Sequence, residues 1–134
     1  MSYYRLFYHF AWATKKRQPL ITEDNHELIY AAIKAKVEEL KGIVHALNGM
    51  PDHVHLVVTV PPSLPLTMFI GQVKGSSSHL ASHLRNNDIA FAWQTEYGVV
   101  SISESHIPLV IRYVSLQQQH HAARTLNRGL ENCE

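Results

Sequence analysis

The chain has little of what marks secreted, membrane-bound or disordered proteins. One cysteine, Cys133, stands among 134 residues, so no internal disulfide can form, which fits a reducing compartment. No apolar run approaches the about 20 residues needed to cross a bilayer. The apolar stretch Leu6 to Ala13 is too short and too aromatic for a signal core, contains His9 and is followed by Lys15, Lys16 and Arg17. The expected location is therefore cytoplasmic, without membrane attachment. Charge is also scarce: 17% of residues are charged and the net charge is +1. That balance excludes a strongly basic nucleic-acid coat and leaves room for a local basic face. Linkers, internal repeats and low-complexity segments are missing, and 46% apolar residues describe a chain able to bury the core of one domain. What stands in excess is histidine, with ten copies.

Hydrophobic patterning gives the order βαββα(β)βα. Tyr3 to Thr14 reads as an aromatic-rich strand. Asp24-Asn25-His26-Glu27 resembles an aspartate capping box opening a helix that ends near Gly42. Ile43 to Asn48 and Val54 to Val60 form a hairpin around a turn at Gly49 to Asp52. Ser63 and Pro65 start a second helix running to about Arg85, and Asn86-Asn87-Asp88 is a turn. Phe91 to Trp93 and Val99 to Ser103 read as a strand pair, and Ile107 to Leu126 as one long helix with Pro108 in its first turn. The expected fold is α+β: a single ferredoxin-like or RRM-like domain, its mainly antiparallel sheet covered on one face by helices, with a C-terminal tyrosine-bearing helix.

Three stretches can carry chemistry. In Pro51-Asp52-His53-Val54-His55-Leu56 the strand period puts His53 and His55 on one face, their Cα atoms about 6.5 Å apart. Two imidazoles at that spacing can close on one metal ion, or can be two histidines on an ordinary sheet face. In Arg112-Tyr113-Val114-Ser115-Leu116-Gln117, the tyrosine and the amide four residues later share a helix face, with His120 and His121 about one turn further. A tyrosine hydroxyl beside an amide metal ligand can act as a nucleophile; a core aromatic with solvated glutamines is the plainer alternative. In Gln72 to His79, Lys74 and three serine hydroxyls can contact a nucleic-acid backbone, or the small residues can serve close packing. Trp12, Trp93 and Tyr97 offer stacking faces, with packing the simpler use.

Together these stretches resemble the single-tyrosine HUH transposases, the small insertion-sequence transposases and the REP-associated tyrosine transposases. The likeness rests on YHFAWATKKRQPLI (8–21), MPDHVHLVV (50–58), FIGQVKGSSSHL (69–80), AWQTEYGVVSIS (92–103) and IRYVSLQQQHHAARTL (111–126), in family order. It implies one HUH transposase domain over residues 1–134, acting as a DNA endonuclease and strand transferase of a mobile element. It implies that Tyr113 is the catalytic nucleophile and that His53, His55 and Gln117 hold a divalent ion, magnesium or manganese. The tyrosine would attack a single-stranded DNA phosphodiester near a hairpin, leaving a 5′-phosphotyrosine and a free 3′-hydroxyl, and a second transesterification would rejoin strands without ATP. It further implies a homodimer in which active sites can be shared between subunits, and a place at the nucleoid. His9, Lys15, Lys16, Arg17, Lys74, Arg112, His120, His121 and Arg124 are expected near DNA. Leu116, where the family often has Asn, is expected to pack. The rivals are a domesticated relative that binds hairpin DNA or RNA without cutting it, and an unrelated ferredoxin-like metal enzyme for a small molecule.

Overall fold

Strand alternation decides which side chains reach which layer of this protein. In the computed structural model, which describes residues 2–84 and 90–134, strand β1 (Tyr8–Ala13) sends Phe10 and Trp12 to one face, where both are fully buried. His9, Ala11 and Ala13 go to the other face, a difference on which the functional site depends. Helix α1 (His26–Glu39), β2 (Ile43–Met50), β3 (His53–Thr59), α2 (Leu66–Ser82) and β4 (Gly98–Ser101) follow. The sheet order is β2-β3-β1-β4 with every pair antiparallel. This is the ferredoxin-like order, in which β3 lies between the strands that α1 connects.

The core lies under α1 and α2. Ile29, Ile33 and Val37 recur at helical spacing along α1, and Phe69, Ile70, Val73 and Ala81 along α2; they meet Phe10, Trp12, Val54, Leu56 and Val58 from the sheet. Trp12 packs edge-on against Trp93, and Phe10 against Phe69 and Tyr97. Trp12 is therefore closed to bases, and Trp93 and Tyr97 are half-buried against the same core.

Several expectations change in detail. Tyr3 to Phe7 lies outside β1. The α1 cap is different: Asn25 makes no capping bond to the helix and instead accepts from Thr22 N and donates to Leu20 O, fixing the turn before it. Helix α2 starts from Pro65 and ends at Ser82, short of the end expected near Arg85; the turn expected at Asn86 to Asp88 lies outside the described residues. Phe91 to Trp93 does not pair with β4. Strand β4 runs along β1 at Tyr8 to Ala11, whereas Trp93 meets Thr14, the residue after β1, through an isolated bridge.

Helices also cover both faces of the sheet. The expected single C-terminal helix is three: α3 (Ile107–Ser115), α4 (Gln117–Ala123) and α5 (Arg128–Glu131). The first break is at Leu116, whose ψ of 26° leaves the helical region. The second is at Arg124, whose φ of 58° reverses the chain, with the Thr125 N–H closing on His120 O. The offset at Leu116 lets Val114 and Gln117 both be fully buried while Gln118 donates to Gly49 O at 2.8 Å. Among the described residues no helix is long and apolar enough to cross a membrane.

Candidate active site

The second sheet face is built with small residues where the histidines need room. His55 pairs with Ala11 and His53 with Ala13, so each imidazole stands beside a methyl group. Both are almost completely buried, with ring centroids 5.1 Å apart. Each ring is held from behind. His53 Nδ1 lies 2.7 Å from Asp52 Oδ1, and His55 Nδ1 lies 2.9 Å from His9 Nε2. The two Nε2 atoms are left facing one point.

Asn48 fastens the tyrosine helix over that point. Its Nδ2 donates to Val114 O at 3.0 Å, and its Oδ1 accepts from Gln118 Nε2 at 3.0 Å. Tyr113 and Gln117 thereby reach His53 and His55 of the same chain. The Tyr113 ring stands edge-on to His55 with centroids 6.3 Å apart, and His120 stacks on its outer face at 4.5 Å.

Glu131 occupies the centre. Its Oε1 is 3.3 Å from the Nε2 atoms of His53, His55 and His121. Its Oε2 accepts a short hydrogen bond from the Tyr113 hydroxyl and one of 3.0 Å from Gln117 Nε2. Burial would raise this carboxyl, but favourable contacts with His53, His55 and Tyr113 outweigh it and hold it well below the ordinary carboxylate range. Burial and the Glu131 hydrogen bond push Tyr113 up to about 12, so its hydroxyl keeps its proton here. Burial lowers His55 despite Glu131, and takes His9 down to about 3.

The donor set fits a divalent ion. Three buried atoms at the site make no well-directed hydrogen bond: Gln117 Oε1, and the Nε2 atoms of His53 and His121, which have only the 3.3 Å contact with Glu131 Oε1. Such atoms are costly unless something satisfies them. Among the described residues His53, His55 and Glu131 form a cluster whose ligand atoms could close on one ion. The 3.3 Å spacing from carboxylate to imidazole nitrogens is close to a ligand–ligand edge for bonds of about 2.1 Å. Gln117 meets the same carboxylate through Nε2, and two imidazoles with a hard carboxylate oxygen suit a divalent ion that does not demand thiolates.

The residues expected beside DNA divide into three groups. Lys15, Lys16 and Arg17 are exposed in a short 3-10 turn after β1, where Arg17 reaches Asp52 at 3.5 Å; Arg112 and Arg124 are exposed on the tyrosine arm. His120 and His121 belong to the tyrosine and carboxylate contacts just described. His9 and Lys74 are corrected. His9 is 2% exposed, so it touches no DNA but the back of His55. Lys74 donates to Gln94 O at 2.6 Å and to Thr95 O and Glu96 O at 3.1 Å, so its ammonium closes a loop. Ser77 is fully buried and accepts from Trp93 Nε1 at 2.9 Å, while Ser76 and Ser78 bond to their own helix.

Glu131 was invisible in the sequence: an isolated acid 14 residues after Gln117 has no spacing rule. His9 had a signal in the strand alternation, since it shares a face with Ala11 and Ala13; pairing β1 with β3 converts that into contact with His55.

A family model described as "Transposase IS200 like" matches residues 2–117. The chain is 24% identical over 130 residues to the ISDra2 transposase TnpA of Deinococcus radiodurans, covering 85% of each protein. It superposes on a crystal structure of a transposase candidate from Deinococcus radiodurans R1 with TM-score 0.70 and 24% identity, covering 87% of this chain and 95% of the other. A REP-associated tyrosine transposase bound to a REP hairpin gives TM-score 0.67 and 18% identity over 90% and 74% of the two chains.

Proposed function

Because this chain belongs to the family of IS200-like transposases, we propose that it cuts and rejoins single-stranded DNA beside the hairpin ends of a mobile element, with Tyr113 as nucleophile. The observation that carries the proposal is the meeting, in one buried centre, of the Tyr113 hydroxyl with the Nε2 atoms of His53 and His55 and the amide of Gln117 around the Glu131 carboxylate. A tyrosine hydroxyl so close to three metal-competent donors has no packing purpose that an apolar side chain would not serve better.

In this reading His53, His55 and Gln117 hold magnesium or manganese, and Glu131 Oε1 offers a further, anionic oxygen. The ion would polarise the scissile phosphate and neutralise charge on the leaving oxygen. Tyr113 Oη attacks phosphorus and the phosphorus–O3′ bond breaks. The phenolic proton leaves through its hydrogen bond to Glu131 Oε2 and on to water, because this carboxyl is held too acidic to keep it, and the departing O3′ takes a proton from water to become a 3′-hydroxyl. The 5′-phosphotyrosine keeps the phosphodiester's energy, so an incoming 3′-hydroxyl can reverse the step on a second strand without ATP. Residues 1–134 act as one HUH domain, exposed Lys15, Lys16, Arg17, Arg112 and Arg124 line the DNA path, and the work is done in the cytoplasm at the nucleoid. The working unit is a homodimer, with each site complete within its own chain.

Binding of hairpins without cutting is the second reading, favoured by the protonated state in which Glu131 holds Tyr113. Incubation with labelled single-stranded hairpin ends and manganese separates the two. Cleavage is expected from the native chain and none from Tyr113→Phe; retained binding with no cleavage under magnesium or manganese would select the second reading.

A further inference from the structure

The hydrogen bond between His9 and His55 carries more than packing. An imidazole can give its Nε2 lone pair to an ion only if its proton sits on Nδ1. For His53 that proton has an evident acceptor, the Asp52 carboxylate at 2.7 Å. For His55 the competition is open. Glu131 Oε1 at 3.3 Å from Nε2 invites a proton to the wrong nitrogen, and His9 Nε2 at 2.9 Å from Nδ1 invites it to the right one.

The geometry of the centre settles this. His55 Nε2 meets the same Glu131 Oε1 as His53 Nε2 and His121 Nε2, each at 3.3 Å, so an ion held there takes that lone pair and the His55 proton must sit on Nδ1. His9 Nε2, 2.9 Å away on a ring that is 2% exposed, is the acceptor that proton meets, and without it a buried N–H would be left unpaired at a cost.

We propose that His9 is a positioning residue for the metal centre: it holds the His55 proton on Nδ1, so that Nε2 is committed to the ion. The placement follows from the sheet register. His9 stands opposite Val57 and two residues before Ala11, the partner of His55, on the same face, so rigid strands and not a loop fix the contact. The two ligand histidines are thereby supported unequally. Asp52 is an anion shared with Arg17, whereas His9 adds no charge and leaves the ion's positive field undiminished from that side.

The inference rests on the proposed metal site, and the test separates the two. Manganese binding to the full chain is followed by electron paramagnetic resonance for the native protein, His9→Leu and His9→Gln. His9→Leu should weaken binding about 10- to 100-fold, and His9→Gln, which restores an acceptor, should recover most of the loss. Nitrogen-15 imidazole spectra of the native protein saturated with magnesium should show His55 protonated on Nδ1. Native-like affinity in His9→Leu would overturn the role of His9 alone, and a His55 proton on Nε2 in the magnesium form would overturn it together with His55 as a ligand. A native chain that binds neither ion would overturn it together with the metal site.

Discussion

Acid should unfold the ion-free protein earlier than its carboxylates alone would. His9 is neutral in the fold, where burial takes it from 6.5 to about 3, and His45 and His55 are lowered by burial as well. The unfolded chain accepts protons at these positions from about pH 6.5 downward, while the folded chain refuses them. Their stabilising contribution is therefore complete above pH 6.5 and shrinks as pH falls, for His9 until about 3. Each pH unit in that window costs about 1.4 kcal/mol at His9. At pH 5 His9 alone removes about 2 kcal/mol, and His45 and His55 add in the same direction. Asp52 and Glu131, both lowered in the fold, lose their contribution only as pH approaches the ordinary carboxylate range. The loss between pH 6.5 and 5 thus belongs to histidine. Urea unfolding in EDTA at pH 7, 6 and 5 reads it directly, and His9→Leu should flatten the slope by about one proton. A midpoint constant from pH 7 to 5, or an unchanged slope in His9→Leu, would refute the assignment of these buried neutral rings.

Other outcomes follow from particular contacts. A Cβ on Gly98 would lie 1.9 Å from Asn132 O, so Gly98→Ala should lift the C-terminal arm that carries Glu131, seen as faster proteolysis after residue 126; native protection would contradict the packing. Lys74→Met should destabilise the chain by about 1–3 kcal/mol through lost bonds to the 94–96 carbonyls, while the salt dependence of DNA binding stays unchanged; a shallower salt slope would restore Lys74 as a phosphate contact. Manganese at about a hundred times its dissociation constant should stabilise the chain by about 2.7 kcal/mol, and His53→Ala should remove that increment in thermal melts.

Much of the fold was legible because burial writes itself into local patterns. The alternation of Phe10 and Trp12 with His9 and Ala11, the β-branched run after His53 and the spacing of Ile29, Ile33 and Val37 all report which side faces the core. The pairing of His53 and His55 on one face was equally local. The break at Leu116 was not, because nothing in its own sequence forbids a helix; the turn is imposed by the need to bury Val114 and Gln117 against the sheet while Gln118 reaches Gly49. Glu131 escaped for the same reason. It enters the site because a left-handed turn at Arg124 and the space over Gly98 return the chain to β1 and β4, contacts that no spacing rule encodes. Lys74 looked like a phosphate contact because a lysine among serines reads as surface, yet the loop carbonyls of residues 94–96 claim it.

Mapping a covalent protein–DNA adduct tests the proposed chemistry most directly. The native chain, incubated with hairpin-ended single-stranded DNA and manganese and then digested, should yield one nucleotide-bearing peptide, with the 5′-phosphate on Tyr113 and a free 3′-hydroxyl on the released strand. An adduct on another residue, one that persists in Tyr113→Phe, or cleavage with no covalent intermediate would contradict it.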